Sequence, residues 1–439
     1  MRLAECGVKP IIVEKETFPR YHIGESMTGE SGGLLRELGL EDLMEAAPNP
    51  IKHGVNVYGS SRDAWFVPVM MRTREGELAD QTTWQVRRST FDSMLLDQAE
   101  RCGATVVPGK AVRPRVSENG VVRGVTVRPR EGGGELEIEA EMLLDCSGQA
   151  TFLSREELTG PKYLGAYDKQ IAIFSQVAGF ERDAGEDGRG SQPGNTIIFY
   201  KDKFHWAWAI PIDHEVVSVG VVIPSQYFLD SGETKEAFLR RELHELHPEL
   251  VRRLPEIELV EDVHVIPNYS FQVRKFAGRG FICVGDSHRF VDPIFSFGID
   301  AALHEASFAT DTTMRYLQGE GRDSDALFRE HVERCERRLD VFEDTIDAFW
   351  ENPLAFAVVV HSRHRDSIID TFAGRVHGGD EDLPPALRAF RRVLQRERRY
   401  DDEELYSVPF GSRYHPERAP LWNTVLDSVE TTERWMRDV

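Results

Sequence analysis

The stretch between residues 281 and 300 places a carboxylate, a hydroxyl group and a helix terminus close together in the sequence. The apolar residues 281–284 predict a buried strand that ends at Gly285-Asp286. In an open α/β sheet, ligands bind beyond the carboxyl ends of the strands, so Asp286 could reach the hydroxyl groups of a cofactor. Residues 299–317 predict a helix, and the N–H groups at its start would attract an anion. A strand, a turn and a helix also occur without any such site, and for this stretch alone both explanations stay open.

Two other positions carry side chains of the kind that cofactor enzymes use. Trp206 and Trp208 are two residues apart on a predicted strand, so their rings share one face. Core packing is the ordinary explanation for such a pair. Lys52 follows the first long predicted helix and precedes a strand, where most lysines are solvated surface charges. Neither position identifies a function by itself.

Considered together, these segments resemble the two marker motifs of flavin-dependent halogenases. Both motifs are present in full, as Trp206-x-Trp208-x-Ile210-Pro211 and Phe290-x-x-Pro293-x-x-Ser296-x-Gly298. The similarity extends to three more segments that occur in the family's order, namely residues 18–26, 85–92 and 145–148. The resemblance covers all but the last quarter of the chain.

The resemblance implies that Lys52 is the catalytic residue. In this family reduced FAD, oxygen and a halide give hypohalous acid, which passes through a tunnel to an active-site lysine. An ammonium group can hydrogen-bond this electrophile, and a lysine whose pKa is lowered by burial can instead react as the neutral amine and form a haloamine. Trp206 and Trp208 would keep the substrate away from the flavin. The other tunnel and marker residues that the resemblance implies are Pro211, Phe290, Pro293 and Ser296.

The same resemblance implies sites for the halide and the cofactor. Backbone N–H groups of Phe297 and Gly298 would bind chloride or bromide. Glu14 would contact the ribose of FAD, Asp286 its ribityl chain, and Arg88 a phosphate, which a guanidinium can pair bidentately. The full set of implied FAD contacts is Glu14, Ser26, Arg88, Asp286, Pro293 and Gly298. No metal ligand set is expected.

One departure from the family narrows the expected substrate. Tryptophan halogenases carry a glutamate on the loop where this chain has Phe295, and a phenyl ring cannot assist the lysine as a carboxylate does. We therefore expect a substrate activated by its own hydroxyl group or pyrrole nitrogen, a phenol or a pyrrole, either free or tethered to a carrier protein. The sequence has no second dinucleotide fingerprint, so we expect a separate flavin reductase to supply the reduced FAD.

The resemblance and the predicted elements indicate an α/β fold of the p-hydroxybenzoate hydroxylase type. A Rossmann-like FAD-binding domain would be interleaved with an antiparallel-sheet substrate domain and followed by a helical C-terminal extension. The FAD-binding domain is expected at residues 1–65, 84–165 and 260–330, and the substrate-side sheet at residues 66–83 and 166–259. Residues 331–439 are expected to be helical and to cover the substrate cavity.

The start of the chain departs from this pattern. A predicted strand at residues 10–13 followed by Glu14 would present a carboxylate to a ribose, and a glycine-rich phosphate loop should lie about 20 residues earlier. Counting back from Glu14 passes the first residue, so we expect the GxGxxG loop and the strand before it to be missing. A misplaced start or a truncation is the favoured explanation, because residues 2–6 read as the end of a helix. Loss of the nucleotide site is the alternative.

Composition argues against some classes of partner. The 439 residues carry a formal net charge of −21, with 74 acidic against 53 basic side chains. Such a charge disfavours nucleic acids and anionic membrane surfaces as partners. The five cysteines lack metal-binding or paired spacing, which is typical of reduced thiols in a cytoplasmic protein. No apolar run reaches transmembrane length.

Two other functions stay open. A flavin-dependent monooxygenase or another oxidoreductase could use the same fold, because a fold does not determine a function. A non-catalytic relative that scaffolds a biosynthetic partner would explain the missing phosphate loop. Halide dependence of the product would separate the halogenase from the monooxygenase, and upstream codons for GxGxxG would remove most support for the scaffold.

Overall fold

The computed structural model describes residues 1–59, 64–165, 167, 169–322, 324–351, 356, 364–376, 385–386, 400–405 and 408–411. The strands, in chain order, are β1 Ile11–Glu14, β2 Ile51–Lys52, β3 Gly54–Tyr58, β4 Ala64–Pro68, β5 Met70–Arg72, β6 Leu78–Asp80, β7 Thr83–Trp84, β8 Thr105–Val116, β9 Val122–Pro129, β10 Leu136–Glu139, β11 Leu143–Asp145, β12 Lys162–Leu164, β13 Gln170–Ala178, β14 Thr196–Asp202, β15 His205–Pro211, β16 Val217–Pro224, β17 Glu258–Leu259, β18 His264–Pro267, β19 Phe271–Val273, β20 Ala277–Gly278, β21 Phe281–Cys283, β22 Arg289–Phe290, β23 Tyr400–Leu405 and β24 Val408–Gly411. The α-helices are α1 Arg2–Glu5, α2 Gly29–Glu37, α3 Glu41–Ala46, α4 Arg88–Arg101, α5 Phe152–Arg155, α6 Ser225–Ser231, α7 Lys235–Glu245, α8 Pro248–Arg253, α9 Phe297–Leu317, α10 Ala326–Glu351 and α11 Arg365–Phe372. Single 3₁₀ turns occupy Gly148–Ala150, Arg189–Ser191 and Gly285–Ser287.

The largest sheet runs in the order β17-β13-β16-β15-β14-β3-β4, with β18 also paired to β13. Both of its faces are covered. On β13, Ile171 and Ile173 pack in a core with residues of α7 and α8, whereas Ala172 and Phe174 pack in a second core with residues of α10. Burial of both faces explains why β13 is apolar along most of its length instead of alternating. The second core, which we call the inner core, contains the two marker tryptophans.

Strand β3 belongs to this large sheet. It pairs in parallel with β14 and antiparallel with β4, and its Val55 and Val57 pack against the inner core. The domain boundary predicted between residues 65 and 66 therefore falls inside β4. It would assign β3 and most of β4, which are hydrogen-bonded to each other, to different domains. The chain enters the sheet directly after Lys52, which places this lysine at the edge of the inner core.

Parallel pairing occurs in two smaller sheets. β1 pairs in parallel with β8, which continues into the antiparallel strands β9 and β10. β11 pairs in parallel with β21. Glu14 ends β1 and Asp286 follows β21, so both lie at carboxyl edges of parallel strands, where open α/β sheets bind ligands. The architecture is the α/β fold that the sequence predicts.

Two helices differ from their predicted bounds. The sequence pattern predicts one helix over residues 33–46, the first long predicted helix, but α2 and α3 are separated at Gly39, whose φ of +69° is a left-handed value that ends a helix. Helix α9 begins at Phe297, two residues before the expected start at Ile299. The earlier start moves Phe297 and Gly298 from the loop into the first helical turn.

The region after residue 331 is only partly helical. α10 and α11 match the expected helical extension, and α10 contributes Phe342, Phe349 and Trp350 to the inner core. A two-stranded hairpin, β23-β24, follows. Its first strand is a run of acidic residues with low strand propensity, so the sequence pattern did not predict it. The other residues of the predicted 331–439 extension lie outside the described part of the chain.

Candidate active site

Lys52 ends the short strand β2, which pairs with β7. Its side chain is 3% exposed, and Nζ donates hydrogen bonds to Ser26 Oγ at 2.8 Å and to the Met27 carbonyl oxygen at 2.9 Å. No carboxylate of the described residues pairs with Nζ. The lysine is therefore held by neutral acceptors in a place where its charge is poorly solvated, and it is not a solvated surface charge.

Burial lowers the pKa of Lys52 from its ordinary 10.5 to about 7. A buried ammonium loses hydration, and no nearby carboxylate compensates for that loss. At neutral pH both the ammonium and the free amine are then substantially populated. Lys52 can act either as a hydrogen-bond donor or as a nucleophile.

Lys52 lies in the wall of a narrow cavity of about 40 Å³. Thr28 and Ser296 contribute the only hydroxyl groups among the described lining residues. The remaining walls are aliphatic and aromatic, and Trp65, which is 37% exposed, brings one wall to the protein surface. The cavity is thus lined by one amine nitrogen, two hydroxyl groups and the indole of Trp65 among aliphatic and phenyl side chains.

Phe295 faces this cavity as part of a cluster of rings. Its ring centroid lies 5.4 Å from that of Phe349 and 4.7 Å from that of Phe372. No carboxylate lines the cavity among the described residues. Phe295, which stands where tryptophan halogenases carry a glutamate, therefore lies in apolar surroundings and shares a cavity with Lys52.

The loop before α9 carries most of the second marker motif. Ser296 has φ +60° and ψ 31°, a left-handed conformation that residues other than glycine rarely adopt, and it precedes the first helical residue, Phe297. The N–H groups of Phe297 and Gly298 therefore belong to the first turn of α9 and have no acceptor within the helix. This arrangement fits the predicted anion site, which stays a prediction.

A glycine in a tight loop ordinarily supplies a positive φ, but Gly298 does not have one. The left-handed residue of this loop is Ser296, and Gly298 is helical. A Cβ at Gly298 would meet the Phe290 ring at 3.5 Å, an ordinary contact. Neither the backbone conformation nor the packing of described residues thus requires a glycine here.

The remaining marker residues surround the inner core. The ring centroids of Trp206 and Trp208 are 5.9 Å apart, and Trp208 Nε1 donates to Ser218 Oγ at 3.2 Å. Trp208 pairs across the sheet with Ile198, which lines the lysine cavity. The pair thus stands behind the cavity wall, a position that suits both core packing and the predicted barrier. Of the other marker residues, Pro211 ends β15, Phe290 packs edge-on against Tyr269, and the Pro293 carbonyl oxygen accepts from Ser296 N.

Asp286 follows β21 at the carboxyl edge of the parallel pair β11-β21. Gln149 follows β11 at the same edge. Burial raises the pKa of Asp286 to about 6, although the charges of Arg88 and Lys162 act against it. Lys162 Nζ donates to the Gln149 carbonyl oxygen and lies 3.9 Å from the centre of the Phe271 ring. Burial lowers the pKa of Lys162 to about 8, an effect that Asp286 opposes. A carboxylate, an amide and a cation therefore converge where a dinucleotide's hydroxyl and phosphate groups would bind.

Arg88 and Glu14 complete the candidate cofactor residues. Arg88 opens α4 and binds Asp92 through two N–H groups, at 2.7 and 3.0 Å, and the Ile23 carbonyl oxygen at 2.6 Å. Its charge acts on Asp286, but most of its donors are engaged within the protein. Glu14 Oε1 accepts from the Glu16 N–H at 2.7 Å. These groups fit the ribose and ribityl parts of FAD, whereas residues 1–13 contain a single glycine and no GxGxxG loop.

The structure also shows contacts that the sequence did not predict. Ser26, expected at the cofactor, accepts a hydrogen bond from Lys52 and lies 2.9 Å from Thr196 Oγ1. His288 and Arg289, which belong to neither marker motif, are buried among carboxylates of α9 and α10. Thr196 belongs to no motif, and only proximity in the fold reveals it.

Neither a metal centre nor a membrane span is found in the described part of the chain. There, no three histidine, cysteine, aspartate or glutamate residues cluster as metal ligands would. No helix within the described ranges combines the length and the apolar character that a membrane crossing requires.

Known proteins resemble this chain in both sequence and structure. A family model described as tryptophan halogenase matches residues 59–355. The 1H-pyrrole-2-carbonyl-[peptidyl-carrier protein] brominase of Pseudoalteromonas luteoviolacea is 33% identical over 375 residues, which cover 84% of this chain and 87% of the relative. The 1H-pyrrole-2-carbonyl-[peptidyl-carrier protein] chlorinase of Pseudomonas fluorescens is 28% identical over 444 residues, which cover 96% and 95%. The solved structure of the flavin-dependent brominase Bmp2 has a TM-score of 0.81 at 32% identity, covering 90% of this chain and 94% of that one.

Proposed function

The chain belongs to the flavin-dependent halogenases, and from that premise we propose that it halogenates the pyrrole ring of a carrier-protein-bound pyrrole-2-carbonyl group, with Lys52 as the catalytic residue. The observation that carries the proposal is the buried Nζ of Lys52 in the wall of an apolar cavity, with a pKa of about 7. The apolar Phe295 supports a substrate that needs no carboxylate for activation, as a pyrrole does not. The two relatives that act on pyrrole-2-carbonyl carrier proteins support the same substrate class.

The hydrogen bonds of Lys52 suit the neutral amine. A neutral amine has two N–H groups and one lone pair, and two acceptors, Ser26 Oγ and the Met27 carbonyl oxygen, are in place for the N–H groups. The lone pair is then left for the cavity. The charged form would instead direct a third N–H into a largely apolar space, which is unfavourable.

Lys52 would pass the halogen to the ring in two balanced steps. The nitrogen lone pair attacks the halogen of hypohalous acid, the halogen–oxygen bond breaks, and hydroxide leaves with an N–H proton as water. The electron-rich ring carbon then takes the halogen from nitrogen, and the ring proton returns to the amine. A narrow cavity of about 40 Å³ has room for a molecule the size of hypohalous acid, whereas an aromatic ring requires the walls to move.

Reduced FAD, with oxygen and a halide, supplies the hypohalous acid when bound. Asp286, Glu14 and Lys162 are the residues proposed to hold it, with Arg88 contributing charge. The N–H groups of Phe297 and Gly298 are proposed to bind the halide, beside the Ser296 hydroxyl. Trp206 and Trp208 are proposed to separate the substrate from the flavin. A separate flavin reductase is proposed as the source of reduced FAD, because the sequence carries no second dinucleotide fingerprint.

Replacing the lysine tests the proposal. Lys52→Met should abolish halogenation of a pyrrole-2-carbonyl carrier protein supplied with reduced FAD, oxygen and halide, and it should leave FAD binding unchanged. Lys110→Met, at an exposed position on β8, is the matched control and should keep full activity. Halogenation retained in Lys52→Met would refute the catalytic assignment. A hydroxylated product formed without halide by the unaltered protein would favour the monooxygenase.

A further inference from the structure

We propose that Ser26, Thr196 and Gln85 are positioning residues that form a buried hydrogen-bonded relay and keep the lone pair of Lys52 open to the cavity. This inference rests on the proposed function of Lys52. It concerns how the nitrogen is oriented, a property that neither the marker motifs nor the relatives specify.

The relay is continuous in the structure. Lys52 Nζ donates to Ser26 Oγ at 2.8 Å, and Ser26 Oγ lies 2.9 Å from Thr196 Oγ1. Gln85 Nε2 donates to Thr196 Oγ1 at 2.8 Å and to the Gly194 carbonyl oxygen at 3.0 Å. All four side chains are buried, so water cannot easily replace a missing member.

The backbone fixes the members of the relay relative to one another. Ser26 and Gln85 form an antiparallel bridge, and Thr196 begins β14, which is paired with β3 directly after the lysine. Asn195, the preceding residue, accepts from the N–H groups of His53 and Gly54 at 3.0 and 2.9 Å. The start of β14 is therefore hydrogen-bonded to the backbone that directly follows Lys52, and the relay has little freedom to shift.

Either hydroxyl of the Ser26–Thr196 pair can donate to the other, and in the proposed relay Ser26 is the donor, so that its proton has a partner other than the lysine. A serine hydroxyl beside a neutral amine can accept from an N–H or donate to the lone pair. With Thr196 Oγ1 available as an acceptor, Ser26 can donate to Thr196 and accept from Lys52. Without Thr196, the Ser26 proton would turn to the amine and occupy the lone pair needed for halogen transfer. The Gln85 amide holds Thr196 in place for this purpose.

Charged groups do not provide an alternative explanation for the orientation of Lys52. Burial is the cause of its lowered pKa, with no resolved contribution from a charged neighbour. The surfaces that face it are the hydroxyl groups of Thr28 and Ser296 and apolar side chains. Burial and the charge of Arg189 lower the pKa of the adjacent His53, and the charge of Asp80 opposes this. Within the described residues, hydrogen bonds are thus the means by which the protein controls this nitrogen.

Removing the Thr196 hydroxyl tests the relay. Thr196→Val keeps the shape of the side chain and should lower kcat for halogenation by about tenfold to a hundredfold, the effect of losing one strong hydrogen bond. Thr196→Ser restores the hydroxyl group and should recover most of the activity. Ser175→Ala, which removes another fully buried serine hydroxyl, is the matched control and should have little effect on kcat.

A second readout does not depend on turnover. The protein is labelled with ¹³C at the lysine ε-carbon, and the Lys52 signal is assigned by its absence in Lys52→Met. Its titration midpoint, near pH 7 in the unaltered protein, should move to lower pH in Ser26→Ala, because the ammonium loses an acceptor, and in Thr196→Val, because the Ser26 proton then stabilises the neutral amine. Ser175→Ala should not move it.

These outcomes separate the relay from the proposed function. Unchanged midpoints and unchanged kcat in Ser26→Ala and Thr196→Val would overturn the relay even if Lys52→Met is inactive. Halogenation by Lys52→Met would refute the proposed function, whereas the titration would still report whether Ser26 and Thr196 act on the lysine. Circular dichroism confirms folding of each variant, and if Thr196→Val misfolds, the kcat and the Lys52 titration midpoint of Ser26→Ala decide.

Discussion

Glu25, the residue before Ser26, is a second buried titratable group close to the candidate active site. It is 1% exposed, and Gln176 Nε2 donates to its Oε1 at 3.1 Å. Its Oε2 has no hydrogen-bond partner among the described residues. Burial raises the pKa of Glu25 to about 7, and hydrogen bonds from Ser218 and Gln176 and the charges of Arg88 and Arg87 oppose this only in part. Between pH 4.5 and 7 the folded protein therefore binds a proton that the unfolded chain has released.

This shift predicts a pH-dependent penalty on stability. Since the folded state holds more protons in this window, its stability falls as pH rises from about 4.5 to 7, and the cost is complete above the folded pKa. Glu25→Gln, which cannot ionise, should stabilise the protein by about 3 kcal/mol at pH 8 and by little at pH 4. Urea unfolding at both pH values measures the difference.

An exposed glutamate provides the control for Glu25. Glu45→Gln on α3 should change the free energy of unfolding by less than about 0.5 kcal/mol at either pH. The same stabilisation by Glu25→Gln at pH 4 and pH 8 would show that the effect is not ionisation. No stabilisation at pH 8 would show that the folded pKa of Glu25 is not raised.

The sequence predicted some of these residues and not others, for physical reasons. Lys52 could be proposed as the catalytic residue because the chain resembles a family with an active-site lysine. The resemblance does not show that Ser26 lies within hydrogen-bond distance of Lys52, or Thr196 within that distance of Ser26. Thr196 is 170 residues from Ser26, and only the pairing of β14 with β3 brings them together. Glu25 lies in one of the segments that resemble the family, residues 18–26, but its raised pKa could not be predicted, because that pKa depends on burial, which composition and spacing do not report.

At the level of elements, α10 is joined to the loop that follows β21 by a buried network of ion pairs. Arg289, whose side chain is fully buried, binds Glu336, Asp340 at 3.0 Å and Glu343 at 2.8 Å, all on α10. His288 lies between Glu305 of α9 and Glu336, at 2.9 and 3.1 Å. The loop that leads from Asp286 to Ser296 is therefore anchored to the helix that supplies Phe349 to the lysine cavity.

Removing the shared cation should destabilise the protein strongly. Arg289→Met takes the guanidinium from three carboxylates in a buried site, which typically costs about 3–5 kcal/mol. Arg252→Met is the control, because Arg252 is half exposed and its pairs with Glu181 and Glu249 should contribute less than about 1 kcal/mol. Urea unfolding of both variants at pH 7 provides the comparison. Equal losses would mean that the buried network contributes no more than a surface pair.

The elements themselves were predictable to different degrees. The strand ending at Cys283 and the helix ending at Leu317 follow from apolar runs and periodicity, which depend on local sequence. The split between α2 and α3 depends on a single left-handed glycine, Gly39, inside an otherwise helical pattern. His288 and Arg289 belong to neither marker motif, and their carboxylate partners lie on helices whose relative orientation the sequence does not give.

Across the whole molecule, the proposed chemistry would be divided between two sites. The carboxyl edge of β11-β21 carries Asp286 and Lys162, whereas Lys52 faces an apolar cavity against the large sheet. In the first site carboxylate, amide and ammonium groups suit a polar cofactor, and in the second a single nitrogen suits a small electrophile. If hypohalous acid diffuses from the first site to the second, a substitution in one site should leave the binding or titration behaviour of the other site unchanged.

FAD titration, followed by flavin fluorescence, tests this division. Asp286→Ala and Lys162→Met each remove a charged hydrogen-bonding group and should weaken FAD binding by about tenfold or more, with the Lys52 titration midpoint unchanged. Lys52→Met should bind FAD within about twofold of the unaltered protein, because its side chain lies in the other site. Equal weakening by Lys52→Met would place the lysine in the cofactor site and remove the basis for a diffusing oxidant. Unchanged affinity in both Asp286→Ala and Lys162→Met would mean that FAD is held by other residues, and that the convergence at this edge serves the fold alone.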